Sequence, residues 1–156
     1  MTLLTLVNNA QDTIGLVRSS TVVSSTDGNV RTLLAFAQTE GQELLERFAW
    51  PATQVEATHT TLAAELQGVM TTIAPGFGYM INQSFWNRTL TQPVTGPLSP
   101  QEWQFLKARV TTGPYSSYRI QGGSLYGYPA PPAGNTWVFE YQSVNFCQSS
   151  GGTKQS

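Results

Sequence analysis

The spacing of apolar residues changes near Pro51, and this change constrains the fold more than any other feature of the sequence. Before it, apolar side chains recur at helical spacing and predict two helices, over residues 2–17 and 29–48. After it, apolar and polar side chains alternate as they do in strands, in "TQVEATHTTL" (53–62) and "TWVFEYQ" (136–142). Proline cannot continue a helix interior, so Pro51 separates the two regimes. The predicted class is α+β, with two long N-terminal helices and an antiparallel sheet after them.

Two stretches between these strands have weaker patterns. The segment "AAELQGVMTTIAPGFG", residues 63–78, predicts a short helical turn followed by a loop. The segment "YMINQSFWNRTL", residues 79–90, predicts one further strand.

A clear helix-start signal stands in "GPLSPQEWQFLKARV", residues 96–110. Ser99 predicts the N-cap, and Pro100 suits the first turn of a helix. Glu102 follows Ser99 by three positions and completes the pattern of a capping box. These residues predict a short helix over about residues 100–110.

This short helix carries apolar side chains in two directions. Its inward stripe consists of Trp103, Leu106 and Val110. Phe105 points about 100° away from that stripe, because each residue of an α-helix turns by that angle. Either another segment of the chain covers Phe105, or Phe105 contacts a partner molecule.

The segment "SYRIQGGSLYGY", residues 117–128, predicts a β-hairpin around its two adjacent glycines. The register places Ile120 opposite Leu125 and Arg119 opposite Tyr126. We expect the Arg119 guanidinium to lie over the Tyr126 ring.

The apolar pattern predicts one domain over residues 1–142 and a flexible C-terminal tail over 143–156. Within the tail, Phe146 is an apolar residue with no local partner in the sequence.

Charged residues make up only 11% of the chain, and the net charge is −1. A near-neutral chain lacks the basic footprint of a nucleic-acid-binding protein. Two interpretations account for the composition equally well: partners cover part of the surface, or the surface is polar, uncharged and β-rich. Cys147 is the only cysteine, so no internal disulfide is possible. No apolar run is long enough to cross a bilayer, and no membrane association is predicted.

The sequence offers few candidates for catalysis. His59 is the only histidine, and no nucleophile motif or metal-ligand spacing accompanies it. We therefore predict a binding or assembly protein rather than an enzyme, with no cofactor and no metal. Five aromatic residues are candidates for stacking on sugars or bases, with a place in the core as the alternative: Phe85, Trp86, Tyr126, Tyr128 and Trp137.

Three stretches taken together resemble the head-to-tail adaptors of tailed phages, which are also called connector or head-completion proteins. They are "FWNRTLTQPVTGPLSPQEWQFLKA" (85–108), "GPYSSYRIQGGSLYGYPAPPAG" (113–134) and "TWVFEYQS" (136–143), followed by Asn145-Phe146. The resemblance covers about residues 30–147 and includes the order of the predicted elements. Each motif alone is weak, and their order and spacing carry the likeness.

The resemblance implies a structural virion protein at the phage neck, made in the host cytoplasm. Such adaptors form a ring, commonly of twelve copies, between the portal protein and a downstream tail protein, the nozzle or hub. Genomic DNA passes through the ring without sequence-specific binding. The resemblance also implies a small helical bundle that joins the two long helices with the capped helix near 100–110.

Two groups of residues acquire roles from the resemblance. The tail residues Val144, Asn145, Phe146 and Cys147 are expected to bind the portal. Contacts with a neighbouring copy or a tail protein are expected at three further positions: Phe105, Arg119 and Tyr126.

Two other functions stay open at this point. One is a tail-terminator or tail-hub subunit of the same virion. The other is a small glycan-binding β module that uses exposed aromatic side chains.

Overall fold

The computed structural model describes residues 2–109, 115–145, 147–148 and 154–155. It divides into two compact units, Met1–Ala49 with Val144–Ser156 and Trp50–Ser143. We call these the helical unit and the sheet unit. The chain combines α-helices with antiparallel sheets, which confirms the α+β class.

The elements follow in chain order. The helices are α1 (Leu3–Thr13), α2 (Gly28–Arg47), α3 (Met70–Ile73) and α4 (Pro100–Ala108). The strands of the sheet unit are β1 (Gln54–Thr60), β2 (Leu66–Val69), β3 (Phe77–Met80), β4 (Trp86–Asn87), β5 (Gln92–Pro93), β6 (Ser117–Gln121), β7 (Ser124–Tyr128) and β8 (Thr136–Ser143). Two short strands follow near the C-terminus, β9 (Cys147–Gln148) and β10 (Lys154–Gln155).

In the helical unit, α1 and α2 pack around a small cluster of buried valines, Val7, Val22 and Val30. Side-chain oxygens cap both helix starts, that of Thr2 on α1 and that of Asp27 on α2.

α1 ends at Thr13, four residues before the end of the apolar stripe that predicted it. Gly15 adopts a left-handed conformation with φ 74°. The Leu16 N–H then donates to the Gln11 carbonyl at 2.8 Å, and the Gly15 N–H donates to the Asp12 carbonyl. This is the Schellman arrangement, which ends a helix by satisfying its last carbonyl groups.

In the sheet unit, β8 is the central strand of the main sheet. β1 pairs antiparallel with one edge of β8 over seven positions, from Gln54 opposite Gln142 to Thr60 opposite Thr136. β3 and β4 share its other edge, and β5 continues from β4. A second sheet has the order β2-β7-β6.

The core lies on one face of β8. Trp137, Phe139 and Tyr141 are buried there, as their alternation predicts. Phe85 inserts between the two sheets. Its ring centroid lies 4.6 Å from that of Tyr118 in β6 and 5.1 Å from that of Trp137 in β8.

The prediction for residues 63–78 is correct only for the helical turn, which is α3. The same segment also contains β2 and the start of β3. β2 pairs with β7 through a register shift between Leu66 and Gly68. Such a short, bulged strand has too little alternation to be seen in the sequence.

The single strand predicted for residues 79–90 is interrupted. β3 ends at Met80 and β4 begins at Trp86, although both follow the same edge of β8. At the interruption, the Ser84 hydroxyl oxygen accepts a hydrogen bond from the Glu140 N–H at 3.1 Å. A side chain thus replaces the backbone partner that a continuous strand would have supplied.

The hairpin register is confirmed, with Ile120 opposite Leu125 and Arg119 opposite Tyr126. Gly122 and Gly123 have φ values of 57° and 72°. Both central residues of a type I′ turn need positive φ, and glycine adopts it without a Cβ penalty.

The capping box of α4 is confirmed in both directions. The Glu102 N–H donates to Ser99 Oγ at 3.3 Å, and the Ser99 N–H donates to Glu102 Oε2 at 2.8 Å. Hydrogen bonds from the Ser99 side chain and backbone to the Glu102 carboxylate lower the pKa of Glu102 below its ordinary value of 4.5. Val110, the last residue of the predicted helix, lies outside the described residues.

Replacing Ser99 by alanine should lower the free energy of unfolding by about 1 kcal/mol, since the cap is lost. Urea denaturation followed by tryptophan fluorescence measures this, because Trp103 lies in α4 and is buried. Ser99→Asp keeps a capping oxygen and should cost much less.

Because the folded-state pKa of Glu102 is lowered, the contribution of Glu102 to stability is present above pH 4.5 and is lost as the pH falls. Equal midpoints for wild type and Ser99→Ala at pH 7 would contradict a capping role.

Candidate functional site

The position of α4 is set by one buried aromatic residue and one ion pair. The Trp103 side chain is 4% exposed, and its ring lies edge-on to Tyr128 of β7 with 6.2 Å between centroids. Lys107 Nζ lies 2.7 Å from Glu65 Oε1 and 5.7 Å from the centroid of the Trp103 ring. These contacts determine which side of α4 faces the second sheet.

Phe105 lies on another side of α4 and is 58% exposed. Its face is contacted by the Arg109 guanidinium, whose carbon lies 4.4 Å from the ring centroid. The alternative in which another segment of the same chain buries Phe105 is therefore wrong for the described residues. A large apolar ring at this position is available to a partner.

Arg119 and Tyr126 are opposite each other on the hairpin and are both half-buried. In the part of the chain that the structure describes, cation–π contacts join Lys107 to Trp103 and Arg109 to Phe105. The expected contact of Arg119 over the Tyr126 ring is not among them. The two side chains share a face without being stacked.

Of the four tail residues, Val144 and Asn145 are described with their side chains and belong to the helical unit. Val144 is 42% exposed and Asn145 is half-buried. Phe146 lies outside the described residues. The backbone of Cys147 begins β9, which pairs antiparallel with β10 so that Cys147 is opposite Gln155.

α2 is 20 residues long, but Val30 is its only buried residue. α1, with 11 residues, is about 16 Å long, whereas α2 is about 30 Å long. α1 therefore spans only about half of α2, and Phe36 is 65% exposed.

The sheet unit carries a groove of about 580 Å³ on the face of the main sheet opposite the core. We call it the sheet groove. Its lining comes from β1, β4 and β8 and from the loops on either side of β4. It includes Glu56, Asn82, Gln83, Trp86, Arg88, Thr91, Val138 and Glu140. The sequence indicated none of this, because the groove depends on which strands are neighbours.

The five candidate stacking residues lie in different environments. Phe85 and Trp137 are 2% and 0% exposed, so both belong to the core. Tyr126 and Tyr128 are half-buried on the hairpin. Only Trp86, which is 43% exposed, lines the sheet groove.

The titratable groups with shifted pKa values are not gathered at one site. Burial lowers the pKa of His59, and a hydrogen bond with Gln67 opposes that effect. Burial raises the pKa of Tyr118 to about 12, so this residue is a neutral member of the core at pH 7. Within residues 2–109, 115–145 and the two short strands, no three His, Cys, Asp or Glu side chains are grouped to hold a metal ion. No helix of this same part has the length and apolar character of a membrane span.

No protein-family model matches the chain, and no curated protein matches it.

Proposed function

We propose that this chain is a head-to-tail adaptor of a tailed phage, which assembles into a ring between the portal protein and the downstream tail protein. The observation that carries this proposal is the long helix α2, with a single buried side chain, in a chain that has only 11% charged residues. A helix of a globular domain normally buries a continuous apolar stripe. The unburied length of α2 favours further packing in an assembly.

A ring requires two different surfaces on each subunit, because each copy meets its neighbours through unlike faces. α2 with Phe36 and α4 with Phe105 offer apolar side chains on separate units of the chain. In the proposed ring, α4 joins α1 and α2 of the same or a neighbouring copy in a small helical bundle. Arg119 and Tyr126 then face a neighbour or the tail protein.

The C-terminal segment supplies the proposed contact with the portal, through Val144, Asn145, Phe146 and Cys147. An aromatic anchor in such a segment offsets the entropy that is lost when the segment is ordered on binding. The net charge of −1 suits a channel through which DNA slides, since strong basic patches would hold the duplex.

Deleting residues 144–156 should abolish co-sedimentation with the portal ring of the phage that encodes the chain, because the anchor is lost. The single change Phe146→Ala should weaken co-sedimentation in the same direction. Val17→Ser is the matched control, since Val17 is 89% exposed and lies outside the proposed contacts. Far-UV circular dichroism checks that α1 and α2 stay folded in each variant.

Two results would contradict this proposal. Truncated chain that pellets with portal as efficiently as full-length chain shows that the tail is not the anchor. The second result is full-length chain that does not bind portal, together with labelling of intact particles that places the chain on the tail and away from the portal. This result would indicate a tail-terminator or tail-hub subunit instead.

A further inference from the structure

The sheet groove combines one exposed aromatic ring with a set of charged and amide side chains. Trp86 of β4 is directly opposite Val138 of β8, so the indole and the 3%-exposed valine form an apolar surface in the groove. Around it lie the side chains of Asn82 and Gln83 and the charged residues described next. Its volume of about 580 Å³ is in the range of small-molecule sites.

The charges of the groove do not cancel. Glu56 of β1 and Glu140 of β8 are directly opposite each other, and like charges in such a pair repel. Arg88 neutralises one of the two carboxylates, because its Nη2 lies 2.7 Å from Glu56 Oε2. Among the described residues, no ion pair is formed by Glu140. Two carboxylates and one guanidinium leave the groove with a net charge of −1.

The backbone around the groove is strained. In the described residues, positive φ outside glycine occurs at Gln83 (63°) and Thr91 (53°), and both residues line the groove. A β-branched residue such as threonine rarely adopts this conformation. Strain of this kind persists where the surrounding structure enforces it, and it is concentrated at ligand sites.

We infer that the sheet groove binds a single sugar ring that is neutral or carries an amino group. One face of a pyranose consists of C–H groups and packs against an indole. Its rim consists of hydroxyl groups, which both donate and accept hydrogen bonds. Carboxylates accept these bonds, the guanidinium donates them, and amides do both. Glu140 is the acceptor for an ammonium or hydroxyl group, and Arg88 with Glu56 holds the opposite edge of the ring.

The charge of the groove decides which sugars are excluded. A uronic acid or a sugar phosphate would bring a second negative charge beside Glu140, and this repulsion is worth at least about five-fold in affinity at contact distance. The site shares no residue with the proposed portal and ring contacts, so it does not depend on the adaptor assignment.

The test is titration of the full-length protein with three small probes, followed by saturation-transfer NMR. The probes are the methyl glycosides of glucosamine, glucose and glucuronic acid, which differ chiefly in charge. We expect glucosamine and glucose to bind, and the glucuronide to bind at least about five-fold more weakly than the glucosamine.

Two variants assign the binding to the groove. Trp86→Ala should weaken binding of the glucosamine probe by about ten-fold or more, whereas Trp86→Tyr keeps an aromatic surface and should retain most of it. Glu140→Gln keeps the shape of the side chain and should remove the discrimination between glucosamine and glucuronide. Tyr79→Ala is the control, because this residue is an equally exposed aromatic (45%) that does not line the groove.

Three outcomes would overturn the inference. One is no saturation transfer to any probe at about 50 mM, far above a millimolar dissociation constant. Another is binding that Trp86→Ala leaves unchanged. The third is binding of one further probe, Nα-acetyl-lysine amide, whose side chain keeps its positive charge, without binding of any glycoside. That result would mean that the groove receives a basic side chain of a protein. Retention of the tryptophan emission, to which buried Trp103 and Trp137 contribute in every variant, shows that each variant is folded.

Discussion

Replacing Phe85 by alanine should lower the free energy of unfolding of the sheet unit by about 3–5 kcal/mol, the usual cost of removing a buried phenylalanine ring. Phe85 is 2% exposed, and its ring contacts aromatic side chains from both sheets. Besides Tyr118 and Trp137, it meets Phe139 at 5.2 Å between centroids. Alanine leaves a cavity that the surrounding rigid rings cannot fill.

The four tryptophans make this measurement specific. Trp50, Trp86, Trp103 and Trp137 all lie in the sheet unit, so their fluorescence during urea denaturation reports on that unit alone. Phe85→Leu keeps most of the volume and should cost about 1 kcal/mol. A loss below about 1 kcal/mol for Phe85→Ala would show that the two sheets do not depend on this ring.

Replacing Gly127 by alanine should cost about 3 kcal/mol, although only one methyl group is added. A Cβ at this position would lie 2.5 Å from Cη2 of Trp137, and Trp137 is fully buried. The contact joins β7 of the second sheet to β8 of the main sheet, so the added atom would push the two sheets apart. Gly127 does not adopt a positive φ, so space and not backbone conformation requires glycine here.

A double-mutant cycle separates the clash from other effects. Trp137→Phe removes the ring atom that the new methyl group would meet, at the cost of a cavity. Gly127→Ala should therefore cost less than about 1 kcal/mol in the Trp137→Phe background, and the two changes should be strongly non-additive. An equal cost of Gly127→Ala in both backgrounds would show that contact with Trp137 is not its cause.

Local signals predicted several elements correctly. The start of α4 depends on Ser99 and Glu102, which are three residues apart and bond to each other. The hairpin depends on two glycines that form the turn. The sequence also contained a signal for the end of α1 at Thr13. Gly15 follows the C-cap residue Ile14, and glycine readily adopts the positive φ that ends a helix. The apolar stripe up to Val17 outweighed that signal in the prediction.

The interruption of the strand predicted for residues 79–90 could not be predicted from the sequence, because the residue that causes it is distant along the chain. Ser84 bonds to the backbone of Glu140, 56 residues away. Nothing in the neighbourhood of Ser84 indicates that a side chain there will take the place of a backbone partner. The same holds for the sheet groove, in which Glu56 and Arg88 are 32 residues apart and meet only through their strands.

By itself, the sequence determined the α+β class, the cap of α4, the hairpin register and the inward face of β8. Each of these depends on side chains within a few positions of one another, or on a period that repeats along one segment. Only the tertiary structure decided that β1 and β4 flank β8, and thereby brought Glu56, Arg88 and Glu140 around Trp86. Strand order is chosen by how whole faces bury against each other, and that balance of burial is not contained in any single stretch of the chain.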